Sequence, residues 1–262
     1  MILILRALFL LLLVCVSSSF ADDEGYVFIN YLGGSQSFNS RLFLNVDGEN
    51  NVSYVRADWD SRSLTDSLYY AMKLEKWNNK KGYGLEWVHH KIYLASTNDR
   101  LQGFSISDGL NFLFLNRVVP FKGVGEKKYF KDDTLRYGLG LVFAHMDVRL
   151  DDRERFYMDG GIRGSYFSGV AAQVSLEKWL KSFEKTFFTV ETKFTMAYVR
   201  PPISTHREEY AELPNYAVHV LFGFGTKPSM PKTFKEGAKL FALPPLYMGG
   251  AGYFIRRIDE HN

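Results

Sequence analysis

The chain has 262 residues, a formal net charge of +3, 16% aromatic residues, 22 glycines and one cysteine. So weak a charge excess gives no argument for nucleic acid. The cysteine, Cys15, lies in an apolar leader, so the rest of the chain has no thiol for a disulfide or a cysteine-ligated metal.

Residues 1–21 read as a cleaved signal peptide. Arg6 supplies the positive charge and residues 8–16 are almost wholly apolar. Ser19-Phe20-Ala21 presents small residues at the two positions a peptidase reads, before the polar Asp22-Asp23-Glu24. The apolar run is shorter than the ~20 residues a spanning helix needs. Residues 22–225 then form one unit. No later run approaches a membrane helix, so any membrane crossing is made by strands.

In chain order, 26–34, 41–47 and 51–59 are strand candidates, the last two joined by the turn Asp47-Gly48-Glu49-Asn50. Alternation becomes strict in 66–77, where Leu68, Tyr70, Met72 and Leu74 oppose Lys73 and Glu75. In 82–94 Tyr83, Leu85 and Trp87 share a face until the parity slips at His89-His90, which predicts a β-bulge. Segment 104–117 puts Leu110, Phe112 and Phe114 on one parity with Asp108. Segments 134–143, 166–179, 187–200 and 215–224 alternate in the same way, for example Leu135, Tyr137, Leu139 and Leu141 against Arg136, Gly138 and Gly140. That gives ten candidates. Eight holds if 26–47 packs elsewhere.

A soluble secreted barrel carrying apolar ligands also alternates, with its apolar face inward. Three features favour the membrane. The apolar face of 135–143 rises roughly 21 Å at ~3.4 Å per residue and a tilt near 40°. The opposite faces carry small residues and the chargeable Lys73, Glu75, Glu86, Glu177, Glu191 and Lys193, which pair across a narrow lumen. Trp77, Tyr83, Trp179 and Phe187 flank short turns as an interfacial girdle does.

The fold class expected is therefore all-β: an antiparallel transmembrane β-barrel of 8–10 strands, ten preferred. With its signal peptide, amphipathic strands and girdles the chain resembles the small bacterial outer-membrane barrels of the OmpA, OmpW and PagL type. The resemblance implies outer-membrane lipid, lipopolysaccharide and the barrel-assembly machinery as partners, a monomer, and both termini in the periplasm. The turns at 47–50, 78–81 and 181–185 would be periplasmic. Segments 60–65, 95–103, 150–161 and 201–212 would face outside. Residues 226–262 follow the aromatic strand end at Phe222 and Phe224 as a periplasmic tail, a lumen plug or an extra strand.

No nucleotide, zinc or serine-hydrolase motif occurs, and no cofactor is expected. Glu86-x-x-His89-His90 has ligand-type residues, but a strand does not aim them at one point, so no metal site is expected. If the 95–103 loop closes symmetrically, His89 or His90 lies opposite Ser107 and Asp108, with His145 adjacent across the next connection. Asp108 and His145 share parity with lipid-facing residues. A nucleophile, a histidine base and a carboxylate are the parts of an acyl hydrolase. His89, His90, Ser107, Asp108 and His145 are therefore the candidate catalytic residues of a lipid A or phospholipid acyl hydrolase. The leading expectation is a structural, binding or narrow-pore barrel. The leader predicts a mature protein that begins at Asp22, and intact-mass measurement of protein purified from membranes checks it.

Overall fold

The computed structural model describes residues 25–46, 51–63, 68–78, 81–121, 133–156, 165–183, 186–204 and 208–226. Within them lie β1 (Gly25–Ser37), β2 (Ser40–Asn45), β3 (Val52–Ala57), β4 (Trp59–Asp60), β5 (Tyr70–Asn78), β6 (Lys81–Leu94) and β7 (Leu101–Phe121). There follow β8 (Asp133–Ala144), β9 (Asp147–Leu150), β10 (Arg153–Phe156), β11 (Tyr166–Ser182), β12 (Thr186–Val199) and β13 (Tyr210–Thr226). Eight of these close a ring. Each pairs antiparallel with two neighbours in the order β1-β5-β6-β7-β8-β11-β12-β13, and β13 returns to β1. A closed ring leaves no unpaired staves.

The ring has eight staves, not the ten preferred from the sequence. Segments 41–47 and 51–59 do form strands, but β2 pairs with the start of β13 and with β3, off the ring. β4 pairs with the far end of β6, and β9 with the far end of β7. These strands build a cap over one end of the barrel. β2 and β3 therefore lie at the end opposite the β5–β6 and β11–β12 hairpins, against the expectation that the three turns share a side, and residues 47–50 themselves lie outside the described residues. Period-2 alternation reports only that a strand has two faces, not which sheet buries one of them. The cap has its own apolar core, with Leu42, Leu44, Ile92, Leu94, Leu101, Ile106 and Leu213 buried and Trp59 packed on Phe104 at 5.7 Å. Residues 226–262, whether tail, plug or strand, lie outside the described residues apart from Thr226 at the end of β13.

Polarity is inverted relative to a water-soluble barrel. Leu139 is 74% exposed and Leu115 63%, while Lys73, Arg136 and Glu191 are each 0% exposed. One face assignment is corrected. Phe112 and Phe114 of β7 point inward, and Leu113 and Leu115 take the outward parity. Both parities of 110–115 are largely apolar, so the alternation there had no readable phase.

Among the described residues, three cations and four carboxylates fill the lumen. Arg136 donates to Glu75 at 2.5 and 3.1 Å and to Glu177 at 3.2 Å. Lys73 donates to Glu191 and lies 3.7 Å from Glu177 and 3.8 Å from Glu86. Lys193 donates to Glu86, which also accepts from Asn116 at 2.8 Å and Gln173 at 2.6 Å. The Tyr31 hydroxyl donates to Glu177. Glycine makes the room: a Cβ on Gly138 would fall 2.1 Å from Asn116 Oδ1, and one on Gly140 2.6 Å from Phe114.

Removing one member of such a network strands its partners. Arg136→Leu leaves Glu75 and Glu177 short of a cation and should cost about 3–5 kcal/mol. Leu139→Arg, on the opposite face, should cost about 2–4 kcal/mol near the bilayer midplane. Denaturant titration in lipid vesicles, read by the heat-modifiable gel shift, measures both.

Candidate functional site

The irregular stretch of the ring lies where β6, β7 and β8 enter the cap. Below it His89 pairs with Asn111 and His90 with Leu110. Above it Ile92 pairs with Ile106. One residue of β6, Lys91, thus stands opposite three of β7: Ser107, Asp108 and Gly109. On the other side Leu110 pairs with Ala144, and pairing resumes at Ser105 and Asp147. β7 swells against both neighbours at once. Gly109 permits this, with φ of +112°, a region that residues with a Cβ avoid.

The swelling breaks the symmetric closure assumed from the sequence. His89 and His90 face Asn111 and Leu110 rather than Ser107 and Asp108. The bulge expected near His89-His90 is present at Lys91.

The five candidates divide by face. His90 points inward, where its Nδ1 pairs with Ser35 Oγ at 2.8 Å and its Nε2 with Ser37 Oγ at 3.0 Å. It belongs to an interior cluster with His219, at 5.3 Å between ring centroids. His219 itself pairs with Tyr69 at 2.9 Å and Thr195 at 2.8 Å. His89 points outward. It stacks on Tyr70 at 4.9 Å, and its Nδ1 pairs with Asn111 Oδ1 at 2.8 Å. Asp108 shares parity with the inward Leu110, not with lipid-facing residues, and its side chain lies outside the described part of the structure.

Ser107 and His145 do come together, through a residue the sequence reading missed. The Ser107 hydroxyl donates to Asp147 Oδ2 at 2.9 Å, and His145 Nε2 lies 3.7 Å from Asp147 Oδ1. Asn111 was missed as well. The signal for Asp147 was the His-x-Asp spacing on one parity. For Asn111 it was the outward phase of Leu113 and Leu115.

Asp147 therefore bridges serine and histidine. In an assembled serine triad the histidine stands between the other two, and here the carboxylate does. The arrangement commits the Ser107 hydroxyl to a carboxylate, sets His145 near the other carboxylate oxygen and leaves Ser107 without a base on its hydroxyl. His145 and Asp147 are the residue types of a base and its orienting carboxylate, standing 3.7 Å apart.

This polar patch stands at the upper edge of the apolar belt. Phe143 and the 60% exposed Phe167, their rings 6.3 Å apart, lie just below it, and Tyr198 and Tyr216 continue the girdle on β12 and β13. At the other end Arg117 sits over Tyr83 at 4.2 Å and Lys76 over Tyr26 at 5.9 Å. An apolar outer wall between two aromatic rims, around a charged lumen, fits one solvent, a lipid bilayer. The fold is that of a small outer-membrane β-barrel. A soluble carrier with an apolar interior does not fit this burial.

No family model matches the chain, and no curated protein matches it. Solved outer-membrane barrels are similar in outline. The outer membrane protein AlkL shares 9% identity over 83% of this chain and 97% of its own, with a TM-score of 0.44. OprG from Pseudomonas aeruginosa shares 10% over 79% and 98%, at 0.39. Neisserial surface protein A shares 9% over 77% and 96%, at 0.36. At these identities the class is carried by strand pairing and inverted burial, not by the likenesses.

Gly109 holds the patch in place. A Cβ there would lie 2.5 Å from both His89 Nδ1 and Asn111 Oδ1. Gly109→Ala should therefore cost about 1–3 kcal/mol through backbone strain. It should also separate His89 from Asn111, which the imidazole chemical shifts of labelled protein in micelles would report.

Proposed function

We propose that the protein is an integral barrel of the bacterial outer membrane that engages outer-leaflet lipid at the Ser107–Gly109 bulge and has no chemistry of its own. The observation that carries this reading is the bulge itself. It sets the partly exposed Ser107 and Asp147 on the outward side at the rim of the apolar belt, where the headgroups and ester carbonyls of lipid lie, with His145, His89 and Asn111 buried behind them. A lumen packed with paired charges favours work at the outer wall over passage of solutes.

A second reading is favoured by one contact. The 3.7 Å approach of His145 to Asp147 suits hydrolysis of a lipid acyl ester, with His145 taking a proton from water and Asp147 steadying the imidazolium that forms. Ser107 has no part in that step as nucleophile, because its hydroxyl is already given to Asp147.

Two measurements separate these. In the binding reading, protein extracted in mild detergent retains lipopolysaccharide, and Asn111→Ala with Asp147→Ala loses it while remaining folded. In the hydrolase reading, mass spectra of lipid A or phospholipid from cells expressing the protein lack an acyl chain, and His145→Ala restores it. Folded wild type that neither retains lipid nor alters its acylation would overturn both.

A further inference from the structure

Five buried oxygens inside the barrel have no hydrogen-bond partner among the described residues: Thr189 Oγ1, Glu191 Oε1, Ser175 Oγ, Gln173 Oε1 and Asn215 Oδ1. Their residues are all at least nine-tenths buried. The register places them in a band along three adjacent strands. Thr189 faces Trp179, Glu191 faces Glu177, Ser175 faces Lys193, Gln173 faces Thr195, and Asn215 faces Ala197. Each inward rung of β12 from 189 to 197 thus carries one such oxygen, on β11, β12 or β13.

A buried acceptor left without a donor costs about 1–3 kcal/mol, and native proteins hold only a few. Five in one band along one wall need a common partner. All five can accept, and the Ser175 and Thr189 hydroxyls can also donate, so the partner must be able to do both. A metal cation is the wrong partner, because Lys73 lies against Glu191 and the Lys193 ammonium is 3.7 Å from Glu191 Oε1. Water is the right one, since a buried water makes about three hydrogen bonds to such groups. Successive inward rungs are ~6.8 Å apart along a strand and neighbouring strands ~4.8 Å apart, steps that short chains of hydrogen-bonded waters span.

The band has two different ends. At the cap, Asn215 Nδ2 donates to Ser37 Oγ at 2.9 Å. Ser37 lines a surface depression of about 520 Å³ with Gln36, Phe38, Asn39 and Arg56. At the other end, below Thr189, the buried rings of Trp179 and Phe187 stack at 3.7 Å. A Cβ on Gly225 would fall 2.0 Å from the Phe187 ring, so the ring fills the section up to the β13 backbone.

We propose that the barrel holds a file of bound water along the β11–β13 wall, entered from the outer depression at Ser37 and stopped by the Trp179–Phe187 stack. The barrel is then a shut path for water and protons, with an aromatic stopper at its inner end. This does not depend on the lipid reading, since none of its residues lies on the outer wall.

Two experiments test it. In wild-type protein in lipid bilayers, water-edited solid-state NMR should show rapid transfer of water magnetisation to the side-chain amides of Gln173 and Asn215. No transfer to either would overturn the proposal. In vesicles carrying an internal pH dye, wild type should be as tight to protons as empty vesicles. Phe187→Ala should raise the flux at least several-fold, and adding Ser175→Leu should return it to baseline. Folded Phe187→Ala that stays as tight as wild type would overturn the proposal. So would a leak that Ser175→Leu leaves unchanged, because the flux then runs elsewhere. If Phe187→Ala does not give the gel shift of a folded barrel, Trp179→Ala takes its place and the wild-type spectrum stands as the independent test.

Discussion

Burial of seven Lys, Arg and Glu side chains, among the described residues, in a narrow lumen is the constraint on which the rest of this molecule depends. Taking a lone charge out of water costs several kcal/mol even after relaxation. Arg136, Lys73 and Lys193 are therefore kept within reach of Glu75, Glu86, Glu177 and Glu191. The pairing spans the ring: Arg136 on β8 holds Glu75 on β5 and Glu177 on β11. Such contacts exist only once all eight staves are in place, so the interior fixes strand number and register more tightly than the apolar exterior does. Lipid accepts any apolar side chain, whereas a carboxylate accepts few partners.

Much of this was legible in the sequence, because membrane strands have to alternate. The lumen charges Lys73, Glu75, Glu86, Glu177, Glu191 and Lys193 stood on the polar parities of their segments, and the network contains all six. Leu139 and Phe194 stood on the other parity, and both are exposed. The reading lost its phase in β7, where Leu110, Phe112 and Phe114 alternate with Asn111, Leu113 and Leu115. Only the register with β6 and β8 says which set faces lipid. It lost the strand count where amphipathic segments, β2 and β3, bury their apolar side in a cap rather than in the membrane.

The candidate site was half legible for the same reason. Residue type drew attention to His89, His90, Ser107, Asp108 and His145, but their grouping depended on an assumed hairpin closure. A single glycine with a positive φ altered it. Gly109 lets three residues stand opposite one, which rotates Ser107 toward Asp147 and leaves His90 to the interior. Spacing along a chain is converted into proximity by backbone irregularities, and a bulge is the irregularity that period-2 reasoning handles least well.

The pairing of the first stave with the last also governs how the protein is made. Phe28 lies beside Thr226 and Ser37 beside Ala217, so the seam of the ring joins segments from opposite ends of the described chain. Loop closure over that distance costs entropy before any contact repays it. Until β13 arrives, β1 has a bare edge, and the partly assembled lumen holds carboxylates whose cations are still elsewhere on the chain. Half a barrel is thus far less than half as stable as the whole. Closing the ring therefore couples the first stave to the last, so the lumen pairs and the seam form together.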